Sequence, residues 1–169
     1  FGPKAHGLYQ PPIHNNIKKA LDLKDSRKIF EYSSSNQVEI YYRDLWVFSY
    51  LCNGMNFNDI LNLKYKNIDG DSMSFLRKKT IRSRKTSEIQ VYLVDHAREI
   101  IEKWGIKPAL QDNYIFKGLN DTFTPTRKRK IVLQEVKHCN KIMNRIASNI
   151  GINFNVTTYV ARHSFATVL

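Results

Sequence analysis

The sequence predicts an α+β domain, mostly helical with a small three-stranded antiparallel sheet, and three observations carry that prediction. Apolar residues recur at helical spacing in two long segments, residues 38–52 and 126–150. Between them, residues 68–93 alternate apolar and polar side chains around tight turn signals. The order along the chain is helices, then strands, then helices, with no internal repeat and no low-complexity segment.

Each element has a local reason. Gly2, Pro3, Pro11 and Pro12 make the first residues an extended connection, and residues 1–15 are read as a linker. Asn16 to Leu23 suggests a short first helix. Val38 to Cys52 is a longer one, with Val38, Tyr41, Tyr42, Leu45, Ser49 and Cys52 on one stripe and Asn53-Gly54 as its stop. A third helix runs from about Asn58 to Lys64, with Ile60, Leu61 and Leu63 as core positions and Asn56 or Asn58 as its cap. Ile68, the turn Asp69-Gly70-Asp71, and Met73 and Phe75 alternating with Ser72 and Ser74 form two tightly joined strands. Ile89, Val91 and Leu93 make the third.

Asp95 is placed to cap a helix through Trp104, with Ala97, Ile100, Ile101 and Trp104 facing inward. Tyr114 to Phe116 is a short apolar piece whose type the pattern leaves open. The longest helix follows Pro125 and stops at Gly151, its stripe being Val132, Val136, Cys139, Met143, Ile146 and Ile150. Thr157 or Thr158 caps a last helix, which carries Arg162 and is still running at Leu169. A start without Met and an end inside a helix are read as marks of a fragment of a longer protein.

With 169 residues and 42% hydrophobic positions, the chain can fill one sizeable core. Lys and Arg number 27 against 15 Asp and Glu, a net charge of +12, which favours a polyanionic partner, DNA or RNA first and an anionic membrane second. Cys52 and Cys139 sit in apolar patterns without metal-ligand spacing and read as buried free thiols in a reducing compartment. No run reaches the ~18 apolar residues of a membrane span and no leader peptide is visible, so the expected place is the cytoplasm, away from membranes.

The basic residues cluster. Arg77, Lys78, Lys79, Arg82, Arg84 and Lys85 lie between the second and third strands with no acid among them. Arg127, Lys128, Arg129 and Lys130 open the longest helix, where cations oppose the helix dipole, a placement that suits a phosphate partner. Both clusters are candidate DNA contacts, with Arg127 and Lys128 foremost in the second.

Tyr159 to Leu169 reads Tyr-Val-Ala-Arg-His-Ser-Phe-Ala-Thr-Val-Leu and sets Tyr159 and Arg162 one helical turn apart. This stretch resembles the arginine box of tyrosine recombinases, the phage-integrase family of DNA strand-exchange enzymes, which usually reads His-x-x-Arg-His before a small apolar run. Arg162, His163, Phe165, Ala166 and Thr167 fit, while Tyr159 stands where the family has His. The segment from Asn53 to Gly70 is similar to the family's first arginine box through Gly54, Met55, Asp59, Leu61, Leu63, Lys64 and Tyr65, but Asn56 holds the place of the first catalytic arginine. The basic connection matches a third feature, a catalytic Lys between the second and third strands. Lys79 is its counterpart, with Lys78 the neighbour that competes for the role. As a whole the chain is most similar to integrases of conjugative transposons and related mobile elements.

The resemblance implies a chemistry. A Tyr hydroxyl attacks a DNA phosphodiester, giving a 3′-phosphotyrosyl bond and a free 5′ hydroxyl, without metal or nucleotide cofactor. Arg162 stabilises the charge that gathers on the nonbridging oxygens. Lys79 gives a proton to the leaving 5′ oxygen, helped by neighbouring cations that lower its ordinary pKa of ~10.4. Tyr159 either hydrogen-bonds the phosphate or orients Arg162, and His163 adds a hydrogen bond nearby. Asn56 can donate one hydrogen bond but no bidentate clamp, so either Arg77, Arg82 or Arg84 replaces the first arginine or the site works with one fewer.

The resemblance also implies that residues 16–169 are a catalytic domain cut short before the nucleophilic Tyr, since that Tyr follows a Gly-His box downstream of the arginine helix. Such a fragment is expected to be inactive alone, and the full-length protein to act as a homotetramer on DNA. A nonenzymatic nucleic-acid-binding module and a type IB topoisomerase stay open as alternatives.

Overall fold

The computed structural model describes residues 20–76 and 88–168. Asp22 opens the first helix by accepting from the Asp25 N–H at 2.7 Å, and α1 spans Leu23–Glu31. This corrects the helix expected at residues 16–23. Residues 20–22 are not helical, and residues 16–19 lie outside the described residues. The pattern hid α1 because its apolar positions are few and one of them, Leu23, is 66% exposed.

Helix α2, Gln37–Leu51, starts on an Asn36 cap and runs through the middle of the domain. It packs against α1 and against three later helices: α4 (Asp95–Trp104), α5 (Pro125–Asn149) and α6 (Thr158–Val168). The expected stripe holds for Tyr41, Tyr42, Leu45, Ser49 and Cys52, but Val38, in the first turn, faces solvent. Trp46, Val47 and Phe48 lie off that stripe and are fully buried too. A helix covered on more than one side is apolar all round, so a single stripe understates its core.

Helix α3, Phe57–Leu61, is shorter than the expected 58–64, and its cap is Asn56. The chain leaves the helix early because Leu63 and Lys64 pair with the buried segment 114–116. The Ile115 N–H donates to the Leu63 carbonyl at 2.9 Å, and Lys64 bridges Tyr114. After a short 3-10 turn come β1 (Ile68–Asp69), β2 (Ser72–Leu76) and β3 (Glu88–Tyr92), antiparallel in that order. Met73 faces Val91 and Phe75 faces Ile89, which puts the predicted alternation onto the core.

Asp95 is not the cap of α4. Val94 holds the cap position without a side-chain bond, and Asp95 sits in the first turn, where a carboxylate suits the dipole. Helix α5 takes Thr124 as cap and buries Val132, Cys139, Met143 and Ile146, with Val136 and Ile150 half-buried. Cys52 and Cys139 are buried free thiols. Among the described residues no helix is long and apolar enough to cross a membrane.

Candidate active site

The site begins where α2 stops. Asn53 and Gly54 take φ values of 57° and 66°, which turn the chain out of the helix. Met55 is then pinned: its N–H donates to the Ser49 and Cys52 carbonyls, and its own carbonyl accepts from Ser49 Oγ at 2.6 Å. Asn56 follows, exposed, with its side-chain oxygen used by the Asn58 N–H at 2.8 Å. Its amide NH2 has no partner among the described residues.

Helix α6 comes up against this turn. A Cβ on Gly54 would stand 2.9 Å from Arg162 Cα and 3.0 Å from its Cγ, so only a glycine lets the two backbones approach this closely. Three tertiary hydrogen bonds hold the helix there. Trp46 Nε1 donates to the Thr157 carbonyl at 2.9 Å, the Thr158 N–H donates to Asn140 Oδ1 of α5 at 2.8 Å, and the Leu21 N–H donates to the buried Ser164 Oγ at 2.9 Å. Val160 and Ala161 are fully buried on its inner face. Thr157 and Thr158 are the expected caps, but among the described residues it is Asn140, from across the fold, that accepts from the orphan N–H of Thr158.

This packing gathers Asn56, Phe57, Val136, Thr158, Tyr159 and Arg162 around one cleft of about 100 Å³. Arg162 is half-buried, yet its guanidinium makes no hydrogen bond or ion pair with any described residue. Half-buried arginines normally find an acceptor, so an unpaired fork at a cleft is a ready receptor for an oxyanion. Tyr159 is 60% exposed, and its ring meets that of His163 edge to face at 4.3 Å. His163 therefore packs on Tyr159 from one turn away and does not line the cleft itself.

The second basic cluster lies elsewhere. Arg127 is exposed with its guanidinium 3.9 Å from the Phe123 ring centroid, and Lys128 is half-buried beside Tyr114 and Asp121. Lys128 and Arg129 line a groove of about 530 Å³ between α3 and α5, which shares Asn56 and Val136 with the Arg162 cleft. Arg77, Lys78, Lys79, Arg82, Arg84 and Lys85 lie outside the described residues; the strands that bracket them end at Leu76 and resume at Glu88. Among the described residues no group of three His, Cys, Asp or Glu side chains could hold a metal ion.

Sequence reasoning missed the residues that position α6. Asn140 was visible as a polar residue beside the apolar stripe of α5, and Ser164 as a small polar residue within an apolar helix, but neither spacing announces its partner.

The profile of the phage integrase family matches residues 19–169. Among solved structures the fold is similar to that of XerA recombinase, with a TM-score of 0.55 and 16% identity over 88% of this chain and 49% of that one. It is also similar to XerH site-specific recombinase bound to its difH substrate in a pre-cleavage complex, with a TM-score of 0.54 and 19% identity over 89% of this chain and 42% of that one. The chain thus spans about half the length of the solved relatives it matches. No curated protein matches it.

Proposed function

The chain belongs to the phage integrase family, and on that footing we propose that it is the catalytic domain of a site-specific DNA recombinase of a mobile element. In this reading residues 16–169 bind double-stranded DNA and hold the scissile phosphate, and the full-length protein cleaves the strand through a 3′-phosphotyrosyl intermediate. One observation carries it: Arg162 presents an unpaired guanidinium in a cleft with Asn56 and Tyr159, the three positions that the family's arginine boxes supply.

The proposed step is a transesterification. A tyrosine phenol gives its proton to water as its oxygen bonds to phosphorus, the bond from phosphorus to the 5′ oxygen breaks, and Lys79, as general acid, gives that oxygen a proton. Arg162 hydrogen-bonds the nonbridging oxygens as their charge grows. The Asn56 amide adds a neutral donor, and the Tyr159 hydroxyl adds a second or holds Arg162 in place. His163 supports Tyr159 through ring contact. Arg77, Lys78, Arg82, Arg84 and Lys85 serve as contacts to the DNA backbone, as do Arg127 and Lys128. Tyr159 is not assigned as the nucleophile, because it fills the phosphate-binding position of the box.

The proposal extends to the full-length protein: a homotetramer on two duplexes, working in the cytoplasm, as an integrase of the kind that conjugative transposons and related mobile elements carry. A suicide DNA substrate tests the core of it. The full-length protein is expected to trap a covalent DNA adduct, and Arg162→Ala to abolish the adduct while DNA affinity stays within about threefold, since one phosphate contact among many is lost. A wild-type protein that never forms the adduct would leave a nonenzymatic binding role, and relaxation of supercoils without site preference would mark a type IB topoisomerase.

A further inference from the structure

Asp121 lies on the loop before α5, and donors from three parts of the chain surround its carboxylate. Oδ2 accepts from Lys64 Nζ at 2.5 Å, and Oδ1 accepts from the Tyr114 hydroxyl at 2.8 Å and from Lys128 Nζ at 3.4 Å. Lys128 Nζ also donates to the Tyr114 hydroxyl at 2.9 Å. Both ammonium groups stand over the Tyr114 ring, 4.9 Å and 5.5 Å from its centroid, where the π-face attracts cations.

The cluster is asymmetric. The side chains of Lys64 and Lys128 are only 16% and 26% exposed, whereas that of Asp121 is 60% exposed. The cations and the phenol are built into the body of the domain, with Tyr114 on the 114–116 segment, Lys64 bridging it just after α3 and Lys128 in the first turn of α5, and the acid closes over them from outside. Together they line a cavity of about 500 Å³ with Asn62, Asn67 and Lys66, bordered by Leu76 and Glu88 at the ends of β2 and β3. This cavity shares Asn62 and Lys128 with the α3–α5 groove, which in turn shares Asn56 and Val136 with the Arg162 cleft. The α3–α5 groove therefore adjoins both the Arg162 cleft and the cavity that holds Asp121.

We propose that Lys64, Lys128 and the Tyr114 hydroxyl form a second phosphate site for the DNA backbone, and that Asp121 occupies it in the free protein as an internal substitute for phosphate. The proposal rests on the DNA-binding reading above and extends it. Carboxylate and phosphate offer the same thing to these donors, anionic oxygens that accept charge-assisted hydrogen bonds. The hydrogen bonds from Lys64, Tyr114 and Lys128 hold the Asp121 carboxyl well below the usual carboxylate range, as they would an anionic phosphate oxygen, and its 60% exposure leaves the acid open to exchange with a phosphate fixed in a duplex. DNA binding then swings Asp121 outward and leaves both lysines on the backbone.

Fluorescence anisotropy of a labelled duplex with the full-length protein, read across a salt series, tests this. Asp121→Asn, and Asp121→Ser as a second variant, are expected to tighten binding roughly fivefold, the scale on which one exposed ion pair competes. The double variant Lys64→Gln/Lys128→Gln is expected to weaken binding and make the slope of log affinity against log salt shallower by about 0.9, one phosphate's worth. Glu102→Gln removes an equal charge from the exposed Lys107 pair, outside this cavity, and controls for net charge. Equal tightening by Glu102→Gln, or binding by the Asp121 variants that is unchanged or weaker, overturns the proposal and leaves Asp121 as a staple for its loop. A wild-type protein that does not bind the duplex at all instead defeats the DNA reading on which the proposal rests.

Discussion

Arg162 owes its position to a residue that has no side chain. Gly54 and Gly70 both adopt left-handed backbone, at φ values of 66° and 54°, but a Cβ on Gly70 would meet nothing within 4 Å while one on Gly54 would meet the Arg162 backbone. An L-residue in that conformation costs roughly 1–2 kcal/mol at either position. Only at Gly54 does the added methyl push on α6. Gly54→Ala is therefore expected to lower covalent adduct formation on a suicide substrate by at least about tenfold, because an ångström of misplacement costs of that order or more. Gly70→Ala should lose similar stability yet cleave like wild type, and matching losses in the two variants would show that backbone strain alone is at work. Asn56 illustrates a different economy at this scale. Its oxygen caps α3, leaving the amide NH2 for the cleft, a division of labour that arginine has no acceptor to perform.

At the scale of elements, α6 is held from outside itself. Its first free N–H is capped by Asn140, 18 residues earlier on α5, and the carbonyl of Thr157 is taken by Trp46 of α2. Asn140→Ala should cost about 1 kcal/mol, the usual worth of a lost cap, measurable as a lower urea midpoint at unchanged slope. Because the cap sits one turn from Arg162, the same variant should also form the adduct more slowly; a stability loss with full cleavage activity would mean that the end of α6 is held well enough without it. The elements differed in how legible they were. The stripe of α5 and the alternation of β2 and β3 were plain because one face of each is buried and the other is not. Helix α1 was missed because it buries few apolar side chains, and α3 was overrun because Leu63 and Lys64 are claimed by the distant segment 114–116. Propensity sees neighbours along the chain, and the α3 error comes from a neighbour across it.

For the whole molecule, the buried centre around α2 gives a pH dependence. Burial pushes the Cys52 thiol up from its ordinary 9.0 to about 12, and burial with nearby Glu135 raises Cys139, Tyr41 and Tyr42 as well. The unfolded chain releases these protons near their ordinary values while the folded chain keeps them. Above about pH 9 the native state thus binds more protons than the unfolded one, and stability falls as pH rises. Urea midpoints are expected to drop between pH 8 and pH 10, with both thiols closed to a thiol reagent until the protein unfolds; a midpoint that stays flat across that range would contradict the burial of these groups. The sequence by itself determined the α+β class, the basic charge that suits DNA, and the order of Gly54 box, basic connection and Arg162 helix, because periodicity, composition and motif spacing are all properties of residues read along the chain. Only the tertiary structure decided that Asn56, Tyr159 and the unpaired Arg162 share a cleft, that Gly54 sets their spacing, and that Asp121 closes over Lys64 and Lys128. Those meetings join residues far apart in the chain through backbone atoms and single polar contacts, such as Leu21 to Ser164 and Trp46 to Thr157. Such contacts follow from how the helices pack, and no repeat or spacing in the residues announces them.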